Sequence, residues 1–327
     1  MKKIVAILLL ITTGMLILAG CRKEVEVSEP DPQPVDEVEE KEETYTFGFS
    51  CITMEDPYFI ALEASLREAA QKEGHQFLTV DAGSDAARQE KQIKELIEQG
   101  IDAIFLCPVD WMEITPAIDL LNEAGVKIIN IDTEVQAMDK VDAYVGSDNT
   151  NAGYLCGMDL LERIPGGGKI ILVECPNRNS INNRIQGFEK AIAKKGFEVV
   201  ARIDAKGDLE TALTEVEAVL KTEPEVVAIM CGNDPTALGA LVAANSLDRR
   251  DLVIYGIDGS PEVKKEIAKE GSLVAATVGQ SPSEIGKEAV SVALSVLKDE
   301  KYESVTYIDT FWIDKENVAE YGLDTWQ

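Results

Sequence analysis

Four short apolar runs in this chain end on a polar side chain: Ile-Ile-Asn-Ile-Asp132, Ile-Met-Cys-Gly-Asn233, Ile-Tyr-Gly-Ile-Asp258 and Ala-Thr-Val-Gly-Gln280. A carboxylate accepts from two hydroxyls at once, and a carboxamide both donates and accepts. Arg184 adds a planar fork of donors that matches paired oxygens. Tyr58 and Phe59, which follow Met54-Glu55-Asp56-Pro57, offer rigid rings for an apolar C–H face. Residue types of this kind suit the binding of a polyhydroxylated solute.

Bond-breaking chemistry has less to work with. His75 is the sole histidine and reads as a surface turn residue ahead of a strand. That excludes serine-histidine-acid triads and most zinc hydrolase sites. There is no G-x-x-x-x-G-K-[ST] loop, and Pro165-Gly166-Gly167-Gly168 precedes a strand instead of opening a helix, so it reads as a turn. Paired carboxylates for glycoside chemistry stay open as an alternative, because acids abound and their spacing in space is not written in the sequence. No cofactor and no metal site is expected.

The elements that must position these groups follow from periodicity. The apolar runs are short, rich in Ile and Val, and each is followed by an amphipathic segment, the pattern of buried parallel strands feeding crossover helices. Ligands of open α/β sheets bind outside the carboxyl ends of such strands. Strands are expected at 47–52, 77–81, 103–106, 127–131, 142–146, 169–174, 197–203, 226–231, 252–257, 273–278 and 304–308, with helices between most of them. That strand count exceeds one compact domain, so the fold class is α/β with two doubly wound parallel-sheet lobes dividing near Gly146-Ser147.

The ends and the composition set the location. Lys2 and Lys3 precede an apolar run, Ile4 to Leu18, and Leu18-Ala19-Gly20-Cys21 resembles a lipobox. Residues 1–20 are therefore expected to be a lipoprotein signal peptide, with Cys21 the lipidated, membrane-anchoring first residue of the mature chain. Residues 21–44 hold three prolines, ten acids and three bases and read as an extended tether. A formal net charge of −28 argues against nucleic-acid binding, which needs Lys and Arg to displace counterions. Cys51, Cys107, Cys156, Cys175 and Cys231 show no C-x-x-C pairing and read as small buried hydrophobes.

From about Tyr45 to the last strand the chain resembles the type 1 periplasmic sugar-binding proteins of the ribose-binding subfamily. The resemblance rests on Asp56-Pro57-Tyr58-Phe59, Asp132, Ser147-Asp148-Asn149, Arg184-Ile185-Gln186-Gly187-Phe188, Asn233-Asp234 with Ala237-Leu238-Gly239, Asp258-Gly259 and Gln280. It implies a three-segment hinge, with lobe one at 45–147 plus 281–309 and lobe two at 148–280 plus 310–327. It also implies ligand-binding roles for Asp56, Tyr58, Phe59, Asp132, Arg184, Asn233, Asp258 and Gln280, no catalysis, and delivery of the solute to the permease of an ABC importer at the cell envelope. A receptor of the same fold for a sensor kinase or chemoreceptor, and a carboxylate-dependent carbohydrate enzyme, are the alternatives.

Four departures bear on the ligand. Thr133 stands where ribose binders have arginine, Cys107 replaces a polar residue, and Lys206 or Gly207 occupies the place of an aromatic. Asp56 stands where Asn is common, and Trp111 is a candidate replacement ring, with a core or rim position as its other reading. Three carboxylates (Asp56, Asp132, Asp258) against one guanidinium (Arg184) point to a neutral sugar or polyol, since an anion would meet like charge in a low-dielectric cleft.

Overall fold

Apolar runs and amphipathic segments assemble into two sheets. The computed structural model describes residues 43–327, so the signal peptide, Cys21 and nearly all of the tether expected from sequence lie outside the described residues. The first sheet draws on β1 (Thr46–Cys51), β2 (Gln76–Asp81), β3 (Ala103–Leu106), β4 (Lys127–Ile131), β5 (Ala143–Ser147) and β11 (Val305–Ile308), in the order β11-β5-β4-β3-β1-β2. All its pairings are parallel. The second draws on β6 (Gly168–Glu174), β7 (Phe197–Asp204), β8 (Val226–Cys231), β9 (Val253–Asp258), β10 (Val274–Gly279) and β12 (Phe311–Asp314), in the order β12-β10-β9-β8-β6-β7. Only β12 runs antiparallel to its neighbour in that sheet.

β3 and β8 show why these segments are strands: Ala-Ile-Phe-Leu and Val-Val-Ala-Ile-Met-Cys are buried almost throughout. Residues apolar on both faces need helices on both sides of the sheet. In the first lobe these are α1 (Pro57–Lys72), α2 (Ala86–Glu98), α3 (Thr115–Glu123) and α9 (Pro282–Leu297); in the second, α4 (Asn149–Arg163), α5 (Asn179–Ile192), α6 (Leu209–Thr222), α7 (Asp234–Ser246) and α8 (Pro261–Ala268). Side chains cap many of their starts. Asp56, Asp85, Asp148, Asp208, Asn233, Ser260 and Ser281 each accept a backbone N–H of the following turn, the usual remedy for unpaired amides there.

The chain passes between the sheets three times: after β5, after β10, and between β11 and β12. The last passage ends in β12, a strand that the sequence does not announce. Phe-Trp-Ile-Asp is four residues long and closely flanked by polar ones, too short for alternation to mark it. Beyond it the C-terminal tail is tied down by Lys264 of α8, a fully buried side chain. Its ammonium donates to the carbonyls of Tyr321 (3.1 Å) and Thr325 (2.6 Å) and to Gln327 Oε1 (2.9 Å). The tail carries Trp326 to Tyr58 on α1, edge to face with ring centroids 5.9 Å apart.

His75 differs from its sequence reading. It is half-buried, its Nδ1 accepts from the Tyr45 amide at 3.3 Å, and its ring packs on Tyr45 and Phe47 at 5.3 and 5.4 Å. The five cysteines from Cys51 onward are buried free thiols. No helix among the described residues is long and apolar enough to cross a membrane.

Candidate functional site

Two of the strand-end carboxylates sit on backbone that L-residues rarely adopt: Asp132, just past β4, has φ +61°, and Asp258, the last residue of β9, has φ +144°. Such conformations cost about 1–3 kcal/mol and persist where surroundings hold them. At Asp132 the amide donates to Val145 O (3.1 Å) and the carbonyl accepts from the Tyr144 hydroxyl (2.8 Å). The Thr133 hydroxyl donates to the Asp132 carboxylate at 3.1 Å, and its oxygen lies 2.8 Å from that of Ser180 on α5, a contact between the lobes.

Asp258 is the centre of a network. Its Oδ1 accepts from Arg184 Nη1 (3.2 Å) and Gln280 Nε2 (2.8 Å), and its Oδ2 from the Asp234 amide (3.3 Å). Arg184 also donates through Nε to Asn149 Oδ1 (2.8 Å) and through Nη1 to Gly232 O (2.9 Å). Burial pushes the Asp258 carboxyl well above the ordinary carboxylate range, with Arg184 pulling it back. Burial likewise raises Asp234 to about 6, against donors from Ser260 and Thr277, and raises Asp56.

Close packing sets Arg184 in place. A Cβ at Gly153 of α4 would lie 1.7 Å from the Arg184 carbonyl oxygen, and one at Gly187 of α5 would lie 1.9 Å from Thr150 O. The two helices touch backbone to backbone, which only glycine allows at these points.

Asp56, Tyr58, Phe59, Asp132, Arg184, Asn233 and Asp258 all line one cavity of about 20 Å³ between the lobes. Gln280 reaches it through Asp258. Asn233 is engaged as well in capping α7, accepting from the Thr236 amide (3.2 Å) and donating to Gly207 O (3.1 Å). Trp111 is not among the lining residues. It lies on the seam between the lobes, where its amide donates to Asn177 O at 3.1 Å. Sequence reasoning missed Ser180 and Arg178, which line the same cavity. An Arg amid Cys175-Pro176-Asn177 and Asn179 carries no sign of burial, yet Arg178 is only 6% exposed.

A second cavity of about 280 Å³ adjoins the first through Asp56, Arg178 and Asp258, and Trp326 lines it too. A larger void of about 650 Å³ runs along α1 and α9, walled by Ala, Ser and the ends of charged side chains. It gathers none of the strand-end groups, so the interlobe cleft is the candidate site. No cluster of potential metal ligands occurs among the described residues.

Residues 47–301 match a family model described as a periplasmic binding protein domain. The chain is 32% identical over 307 residues to the ribose import binding protein RbsB of Bacillus subtilis, covering 93% of this chain and 96% of that one. Among solved structures, an ABC transporter solute binding protein from Mycobacterium smegmatis with bound glycerol matches with a TM-score of 0.81 and 27% identity, over 85% of this chain and 96% of that one. One from Bacillus halodurans C-125 with bound myo-inositol matches with a TM-score of 0.79 and 28% identity, over 85% and 97%.

Proposed function

Since this chain belongs to the periplasmic binding protein family, we propose that it captures a neutral monosaccharide or polyol outside the cytoplasm and delivers it to an ABC-type importer. One observation carries the reading. Beside the buried carboxylates of the cleft, the Tyr58 hydroxyl and Gln280 Oε1 are buried with no hydrogen-bond partner. Each such atom costs about 1–3 kcal/mol unpaired, and hydroxyls of a bound solute would satisfy them. The ribose import, glycerol and myo-inositol named for the relatives belong to the same polyhydroxylated class.

In this reading Asp132 and Asp258 accept ligand hydroxyls, Arg184 donates, and Tyr58 with Phe59 covers a C–H face, while Asp56, Asn233 and Gln280 complete the rim. The count of one guanidinium made from sequence becomes two with Arg178. Burial already raises the Asp258 and Asp56 carboxyls because charge is costly in this cleft, and a solute carboxylate would face the same desolvation penalty, so a neutral solute remains favoured. A 20 Å³ cavity has room for about one water, so entry requires the lobes to part. The hinge comprises the three crossings, which divide 45–147 plus 281–309 from 148–280 plus 310–327. Cys21 is taken as the lipid anchor, and the role is binding without catalysis.

Titration calorimetry of the purified chain against neutral pentoses, hexoses, cyclitols and a few sugar acids tests this. One neutral solute is expected to bind with a Kd of about 1 μM or tighter, near −8 kcal/mol. Silence across the neutral panel, or binding of acids alone, would overturn it.

A further inference from the structure

We propose that Arg178 is a specificity-determining ligand contact, and that it is built to receive two adjacent hydroxyls, a vicinal diol, on the solute. The inference rests on reading the cleft as a solute site. Arg178 immediately precedes α5. Its guanidinium makes no hydrogen bond and no ion pair within 4.0 Å among the described residues, and its Nε is buried without a partner. Arg184, six residues on, has Asn149, Gly232 and Asp258 as partners. A guanidinium stays charged at any working pH; Asp56 feels this charge nearby, but a nearly buried set of donors with no acceptor in reach still carries a cost.

The surroundings aim that cost at the cleft. Arg178 lines the inner 20 Å³ cavity, the adjoining 280 Å³ cavity and a third of about 410 Å³, so it stands where all three meet. Gly207 leaves space for it: at φ +71°, a Cβ there would lie 2.5 Å from Arg178 Nη1. The donors therefore border void instead of protein acceptors. A planar fork matches two oxygens on neighbouring carbons. Asp56, Asp132 and Asp258 line the inner cavity with it, and as carboxyl groups they can accept the protons of solute hydroxyls, which an added carboxylate does not offer.

The test uses the purified full chain, the tightest neutral solute found in the panel, its monodeoxy analogues and its uronic acid. Arg178→Met is expected to weaken binding at least 30-fold while the ligand-free melting temperature holds or rises, because buried donors without an acceptor have been removed. Arg178→Lys keeps the charge but loses the fork and is expected to bind about tenfold more weakly. Removing one hydroxyl of the recognised pair should weaken binding by wild type but leave the affinity of Arg178→Met unchanged, the signature of direct coupling. Wild-type affinity in Arg178→Met, or a lowered melting temperature with affinity kept in both variants, would overturn the inference and leave the solute reading standing. Tighter binding of the uronic acid than of its neutral parent would overturn the diol assignment. No binding by wild type to any neutral solute would overturn both readings.

Discussion

Asp258 holds the inner cleft together, since Arg184, Gln280 and the Asp234 amide all converge on its carboxylate. Asp258→Ala is expected to abolish solute binding, at least 100-fold by calorimetry. It should also lower the melting temperature, because Arg184 keeps only Asn149 and Gly232 as partners and a severed buried pair costs about 3–5 kcal/mol. Asp234 makes a prediction about pH. Its folded pKa lies above the ordinary value, raised from 3.8 to about 6, so the protonated form favours the folded state. The stability it contributes is full below about pH 4 and is lost as pH rises through 6, on the order of 3 kcal/mol. Melting temperatures taken from pH 4 to 7 should show this fall in wild type and a flatter profile in Asp234→Asn. At this scale the sequence was legible where a side chain ends a strand, as at Asp132 and Asp258, because topology gathers strand ends. Arg178 was illegible, because its place depends on Gly207, 29 residues further along the chain.

Helices and strands decide whether those side chains meet. α4 and α5 approach so closely at Gly153 and Gly187 that an added methyl at Gly153 would overlap the Arg184 carbonyl. Backbone oxygen cannot swing aside as a side-chain tip can. Gly153→Ala should therefore exceed the usual 1–3 kcal/mol of overpacking, lower the melting temperature by about 5 °C or more, and weaken solute binding by displacing Arg184. A melting temperature within 1 °C of wild type would contradict that account. Nothing in Asn-Thr-Asn-Ala-Gly153 announces such a contact, since a helical glycine reads only as a weak helix former. The long periodic elements were legible for the opposite reason: β1, β4, β8 and β9 are buried on both faces, and their composition says so. β12 gained its place from pairing with β10, which four residues cannot encode alone.

For the molecule as a whole, two α/β lobes joined by three crossings are the frame on which the proposed closure would turn. The tail after β12 adds a tie. It is anchored to the second lobe by Lys264 and rests on the first through Trp326 against Tyr58. Lys264→Met should release it, seen as faster amide exchange across residues 321–327 with the sheets still protected; unchanged protection there would refute the tie.

That same contact gives the molecule a light of its own. Trp326 belongs to a tail tied to one lobe, touches a tyrosine of the other and borders the solute cleft, so its emission colour and its quenching by dissolved iodide should track the angle between lobes with no dye attached. Trp312, within the second lobe, supplies a constant background; Trp111 sits on the interlobe seam against Asn177 and responds as well, so the tail's share of the signal is the part that Trp326→Phe removes. A solute receptor built this way could be followed turnover by turnover, and its opening rate timed, from ultraviolet light alone.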